Sequence, residues 1–183
     1  MGILGGAGGG QSGFYLKGHL NLSGVTYIVC NIGLGGAIPT GNATTGNKGG
    51  DTYIKVTKNS ITYTIRVQGG AGGIPGSIST PTYAGAGGFN SSQTYTISLS
   101  LDVSPILSIV GGGGGNSNIA ITGTSYSTGG DGAASYFGGA GCGATSGSYS
   151  SSKKAYGSGG GGGSNDAPPS AGNDGVGIFT YIY

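Results

Sequence analysis

The stretch Ile54-Lys55-Val56-Thr57-Lys58-Asn59-Ser60-Ile61-Thr62-Tyr63-Thr64-Ile65-Arg66-Val67 reads as two strands and the turn that joins them. Ile61, Tyr63, Ile65 and Val67 alternate with Thr62, Thr64 and Arg66, a period of two that puts one set of side chains on a buried face and the other in water. Ile54 and Val56 form a shorter strand of the same kind, and Lys58-Asn59-Ser60 folds it back as a hairpin. Further along, Tyr95, Ile97, Leu99, Leu101 and Val103 alternate with Thr96, Ser98, Ser100 and Asp102, which predicts one continuous strand over 95–103. Near the start, Lys17, His19 and Asn21 alternate with Leu16, Leu20 and Leu22 around Gly18. No window sustains a 3.6-residue apolar period, and glycine interrupts every candidate helix. The expected class is all-β: short antiparallel strands, sandwich-like, combined with packed glycine segments.

The chain has 183 residues, of which 47 are glycine and 6 proline. That composition without a strict period usually signals low complexity. Ile, Leu, Val and Phe are only roughly one fifth of the chain, little to set against the ordering entropy of so much glycine. Two features favour an ordered protein. The net charge is +2 with 7% charged residues, whereas disordered chains carry high net charge, and the apolar residues are gathered into strand-like runs. Stability must then come partly from packed glycine backbone or from oligomerisation.

Glu is absent, and Lys and Arg total 7, too few for an electrostatic footprint on nucleic acid or an anionic membrane. No apolar run approaches the ~18 residues of a membrane span. Met1-Gly2-Ile3-Leu4-Gly5-Gly6 has neither the basic nor the apolar region of a signal peptide, so synthesis in the cytoplasm and release without export are expected. Cys30 and Cys142 belong to no CxxC pair. Buried free thiols are the simpler reading, and one disulfide is the other.

Self-similarity divides the chain. Gly5-Gly6-Ala7-Gly8-Gly9 corresponds to Gly85-Ala86-Gly87-Gly88, Tyr15 to Tyr95, Ile28-Val29 to Ile109-Val110, and Gly49-Gly50-Asp51 to Gly129-Gly130-Asp131. Gly69-Gly70-Ala71-Gly72 corresponds to Gly138-Gly139-Ala140-Gly141. Two degenerate copies are read, about 3–74 and 83–143, within segments 1–82 and 83–183. The second segment adds a glycine-rich tail and a closing strand, Val176–Tyr183, apolar on both faces.

The glycine runs admit three readings: flexible linkers, phosphate cradles and packed polyglycine-II segments. Linkers do not recur at matching places in two copies. A phosphate cradle needs a following helix, and Gly41-Asn42-Ala43-Thr44-Thr45-Gly46-Asn47-Lys48 puts Asn where a P-loop has Lys. Packed polyglycine-II segments are preferred.

Gly-rich runs alternate with short strands, Gly49-Gly50-Asp51-Thr52-Tyr53 and Gly-Gly-Ala-Gly recur, and the end reads Gly172-Asn173-Asp174-Gly175-Val176-Gly177-Ile178-Phe179-Thr180-Tyr181. In these features the chain resembles the glycine-rich domains of phage tail fibres and tail-tip adhesins, also found in other large DNA viruses. The resemblance implies a β-rich body with stacked polyglycine helices, frequent trimerisation, and loops that touch host receptors.

Catalytic residues, cofactors and metal sites are not expected. His19 is the only histidine and reads as a polar-face strand residue, and no nucleophile elbow is present. Asp131 and Asp174 lie in glycine-rich turns, without the G-G-x-G-x-D repeat of calcium β-rolls. Tyr83, Tyr126, Tyr149 and Tyr156 lie in loop-like stretches where rings stack on sugars or proteins, and Lys153 and Lys154 join Tyr149 and Tyr156 in one contact loop. Ile178, Phe179, Tyr181 and Tyr183 are the candidate subunit interface. The expected function is that of a virion structural protein in a tail fibre, spike or fibre tip. Its expected partners are itself (a trimer or polymer), other virion proteins, and a host surface glycan or outer-membrane protein. The alternatives are a receptor-free extracellular filament subunit and, behind it, an ice-binding protein.

Overall fold

The computed structural model of the chain describes residues 7–39, 45–75, 85–117, 128–143, 151–152, 155–163 and 168–180. Strands and no helix occur among them, so the protein is all-β. β1 (Tyr15–Leu20) pairs antiparallel with β6 (Val103–Ile109). β2 (Val25–Asn31), β3 (Thr52–Lys58), β4 (Ile61–Val67) and β5 (Tyr95–Ile97) form an antiparallel sheet in that order. β7 (Gly141–Cys142) and β8 (Ser151–Ser152) make a third, minimal ladder. Strands from before residue 82 pair with strands from after it, β1 with β6 and β4 with β5.

The β3–β4 hairpin forms as its alternation predicts, in unbroken register from Thr52↔Val67 to Lys58↔Ile61. Its loop is Asn59-Ser60, with φ of 50° and 64°. Positive φ at both loop residues is the primed-turn geometry that matches strand twist, and Asn tolerates it best after glycine. Val56 and Ile65 from this hairpin are buried with Leu101, and Leu16, Leu20, Ile54 and Val103 pack around them. The apolar core between the sheets is thus three fully buried side chains and a half-buried rim.

The expected strand over 95–103 stops at Ile97. The Ser98 hydroxyl accepts from the Thr64 N–H (2.9 Å) and donates to the Thr64 carbonyl (3.2 Å), and the Leu101 N–H then bonds the Ser98 carbonyl (3.0 Å). A side chain that competes for the ladder turns the chain. Leu99 is left fully exposed while Leu101 drops into the core. Val103 then opens β6, whose register with β1 slips between Lys17 and Gly18, opposite Pro105 and Leu107. Proline fits an edge strand at such a bulge.

Much of the rest of the described body is glycine-rich backbone bonded to glycine-rich backbone. Along residues 7–14 the N–H groups go to three neighbours in rotation. Ala7, Gly10 and Gly13 donate to the carbonyls of Gly163, Gly160 and Gly157 at 2.8–2.9 Å. Gly8, Gln11 and Phe14 donate to Ile74, Ala71 and Gln68, and Gly9 and Ser12 to Gly115 and Gly112. Each neighbour runs antiparallel and is met again every third residue. The carbonyls of Ala7 and Gly10 accept from Gly130 and Ala133, again a step of three, on a parallel neighbour. The same step relates Gly46 and Gly49 to Gly73 and Gly70, and Gly172 and Gly175 to Gly36 and Gly33.

This lattice explains why the residue must be glycine. Among the described glycines φ is positive only at Gly24, Gly138, Gly139 and Gly157, so left-handed backbone is not the general reason. Close approach is. A Cβ on Gly9 would lie 1.9 Å from the Asp131 carbonyl oxygen, and one on Gly162 1.9 Å from that of Ala7.

Two buried glutamines join lattice to sheets. Gln93 Nε2 donates to the carbonyls of Ser12 (3.1 Å), Gln68 (3.3 Å) and Gly69 (3.2 Å), and its Oε1 accepts from Gly111 N (2.7 Å). Gln11 Oε1 accepts from the N–H of Asn90 (2.9 Å) and Ala71 (3.3 Å). Asp51 makes a second joint. Its carboxylate takes the Arg66 guanidinium of β4 (Nε at 2.7 Å), Lys48 (3.1 Å) and the backbone N–H of Gly69 (3.0 Å).

Two further expectations are corrected. The closing strand is not formed over Val176–Thr180. Gly172 and Gly175 bond Gly36 and Gly33 in the three-residue step of the lattice, and Ile178 and Phe179 emerge exposed. Both cysteines are free, but Cys142 is exposed on β7. Only Cys30, on β2, is half-buried, and burial pushes its thiol pKa up.

Candidate functional site

A cleft of about 730 Å³ opens between the β1–β6 sheet and the lattice. Leu16 and Ile54 line its apolar floor, and Val176, Ile178 and Phe179 line it where the chain nears its end. Tyr15, Tyr136, Phe137 and Tyr156 form a further part of its wall.

These four rings touch in sequence. Tyr15, at the start of β1, stacks on Tyr136 with centroids 3.8 Å apart and planes 15° from parallel. Phe137 stands edge-on to Tyr136 at 5.5 Å and 89°, and edge-on to Tyr156 at 6.4 Å and 88°. Such stacked and T-shaped pairs contribute about 0.5–1.5 kcal/mol each beyond area burial. Tyr136, Phe137 and Tyr156 remain 54%, 42% and 57% exposed, so the cluster is a surface and not a core. Burial, followed by the hydrogen bond and charge of the neighbouring Tyr136 phenol, raises the Tyr15 pKa.

Backbone bonds fix the rings. Tyr136-Phe137 is a two-residue loop closed in both directions, Gly138 N to Ser135 O at 3.0 Å and Ser135 N to Gly138 O at 3.2 Å. The Ser135 hydroxyl accepts from Phe137 N at 3.2 Å. Gly138 and Gly139 have φ of 86° and 64°, so the chain leaves this loop through a conformation that favours glycine. Tyr156 sits on a turn held by Gly157 N to Asp174 O (2.7 Å) and Ser158 N to Ala155 O (3.2 Å).

Of the contact residues expected from sequence, Tyr156 is exposed and belongs to this cluster. Tyr83, Tyr126, Tyr149, Lys153 and Lys154 lie outside the described residues, as do Tyr181 and Tyr183 of the expected interface. Ile178 and Phe179 are 71% and 51% exposed on the cleft wall. Sequence reasoning missed Tyr15, Tyr136 and Phe137. The signal for the latter pair was present: two adjacent aromatics between Ser135 and Gly138-Gly139 are a tight-turn pattern with rings at its tip.

His19 is exposed on β1. Among the described residues no group of three or more His, Cys, Asp or Glu comes together. The two aspartates in glycine surroundings act on backbone, Asp131 accepting from Gly143 N (2.8 Å) and Asp174 from Gly35 N (2.7 Å).

No curated protein and no solved structure matches the chain. A family model described as a glycine-rich domain matches residues 2–182. With nearly the whole chain covered, and with its glycines bonded run to run, the protein belongs to this glycine-rich domain family.

Proposed function

We propose that this chain is a non-enzymatic structural module of a virion, part of a tail fibre, spike or fibre tip, that contacts the host surface. One observation carries the reading: the body is held by a hydrogen-bonded backbone lattice. Such a body is rigid, uncharged and independent of a large apolar core. The step of three between successive bonds to one neighbour equals the three residues per turn of polyproline II, which supports packed polyglycine-II segments. The segments 1–82 and 83–183 are read as fused copies sharing this body. On this reading the partners are other virion proteins and further copies of the chain.

A second reading is a receptor-free filament subunit, and β6 favours it. Among the described residues this strand is bonded on one edge only, and Ile106, Leu107 and Ile109 are exposed along it. Free apolar edges add strands from other molecules. Electron microscopy of the purified protein without partners separates the two. Discrete particles, three-fold above all, are expected for a fibre tip or spike, and long regular filaments would replace that reading with the polymer.

A further inference from the structure

We infer that Tyr15, Tyr136, Phe137 and Tyr156 form a saccharide-binding platform that takes a pyranose ring by stacking. The inference rests on the host-contact reading for its biological setting, and on the geometry of the cluster for its chemistry. Three rings of the four are about half exposed, and neighbours meet near right angles, 89° between Tyr136 and Phe137 and 88° between Phe137 and Tyr156. Each such corner offers a ring face below and a ring edge beside, which suits the flat C–H face and hydroxylated rim of a pyranose. The phenol hydroxyls of Tyr136 and Tyr156 supply donors and acceptors at that rim. The rings are pre-set by the closed Ser135–Gly138 loop and the Gly157 turn, so little side-chain freedom is lost on binding.

Charge points the same way. Among the described residues, Lys17 and His19 are the only titratable side chains besides the phenols that line the cleft, and none of the lining residues is a carboxylate. Recognition then runs through stacking and neutral hydrogen bonds. The described lining residues include no carboxylate pair of the kind that cleaves glycosides, and the platform is read as one that holds a saccharide. A proline-rich peptide also packs on aromatic faces and bonds phenol hydroxyls through its backbone, and it is the competing outcome of the test.

The test is NMR of the full chain with its tyrosine and phenylalanine rings labelled. The probes are methyl pyranosides of glucose, galactose, mannose and N-acetylglucosamine, together with maltohexaose and chitohexaose. At least one probe is expected to shift the Tyr136 and Phe137 resonances, with a dissociation constant on the order of 1 mM and little change between low and moderate salt. Tyr136→Ala and, through its separate turn, Tyr156→Ala each weaken that binding by about tenfold, with the thermal melt unchanged for at least one of them. Shifts with none of the probes, binding untouched by both substitutions, or ring shifts produced only by a host outer-membrane protein would overturn the inference. Particle morphology reads the virion proposal separately: discrete particles that ignore every probe sink the platform alone, and filaments that bind a probe sink the fibre-tip reading alone.

Discussion

The sheets and the glycine lattice solve the same folding problem with opposite materials. Between the sheets, stability comes from side chains: Val56, Ile65 and Leu101 leave water, and each buried methylene contributes about 0.8 kcal/mol. In the lattice the side chain is absent, and the backbone is the filler. Segments approach until the donor of one meets the carbonyl of the next, leaving no room for a single carbon at Gly9 or Gly162. Glycine loses more freedom on folding than any other residue, and the lattice offsets this by satisfying one backbone N–H after another. One region therefore tolerates losing a carbon, and the other does not tolerate gaining one.

The sharpest way to break this contrast is to add that carbon. Gly9→Ala puts a methyl 1.9 Å from a backbone oxygen that the lattice holds in place, and a loss of about 4 kcal/mol or more is expected, enough to unfold a domain of ordinary stability. Gly112→Ala is the matched control. Its Cβ would stand 3.6 Å from Ala133 Cβ, an ordinary contact, and the change should stay within about 0.5 kcal/mol. Thermal and denaturant melts of both variants decide the point. Equal tolerance of the two would mean the segments slide freely and the lattice is not the source of rigidity.

The next effect lies at the joint between the regions. Gln93→Leu keeps the bulk of the side chain but strands Gly111 N–H and the carbonyls of Ser12 and Gly69, while the Gln68 carbonyl keeps its bond from Phe14 N–H. Buried groups left without partners cost about 1–3 kcal/mol each in unfavourable cases, so a total near 3 kcal/mol is expected. Hydrogen exchange sharpens the comparison further. Amides of 7–14 and of β4 should both lose protection in Gln93→Leu if lattice and sheet are one cooperative unit, and only one set should if they are two. Within the sheets, Ile65→Val removes one methylene from the core and should cost about 0.5–1.5 kcal/mol by denaturant melt. A carbon lost there then weighs less than a carbon gained at Gly9.

How much of this was legible in the sequence follows from the same contrast. The β3–β4 hairpin was readable because its information is local: a period of two, and Asn59-Ser60 at the one place where positive φ is required. The end of β5 was not, because Ser98 turns the chain only by virtue of the Thr64 backbone opposite it, a partner 34 residues away. β6 was hidden by Ile106-Leu107, which break the apolar–polar alternation, and by Pro105, which lowers a strand reading on sequence grounds. In the lattice, sequence marks where backbones must approach closely but not which runs meet, since one glycine carries no more address than another. The platform falls between: Tyr136-Phe137 announces an exposed turn, whereas the stacking of Tyr15 on Tyr136 depends on a contact 121 positions away in the chain, which only the fold supplies.

The smallest expected effect tests the ionic joint at Asp51. Burial alone would raise this carboxyl, but the Gly69 N–H and the Arg66 and Lys48 side chains outweigh it and hold its pKa below the ordinary carboxylate value. A carboxyl depressed in the folded state stabilises the fold at pH above its unfolded pKa of about 3.9, and that contribution fades as pH falls through the folded pKa. The difference in unfolding free energy between the wild type and Asp51→Asn should hold level from pH 7 to about pH 5 and shrink below about pH 4. Its size should stay below that of Ile65→Val, because Arg66 and Lys48 are 37% and 49% exposed and solvent screens them. A difference that persists unchanged to pH 2 would move the role of Asp51 from its charge to its shape. The bond to Gly69 would then be a neutral one, and the sheets and lattice would be joined by hydrogen bonds throughout.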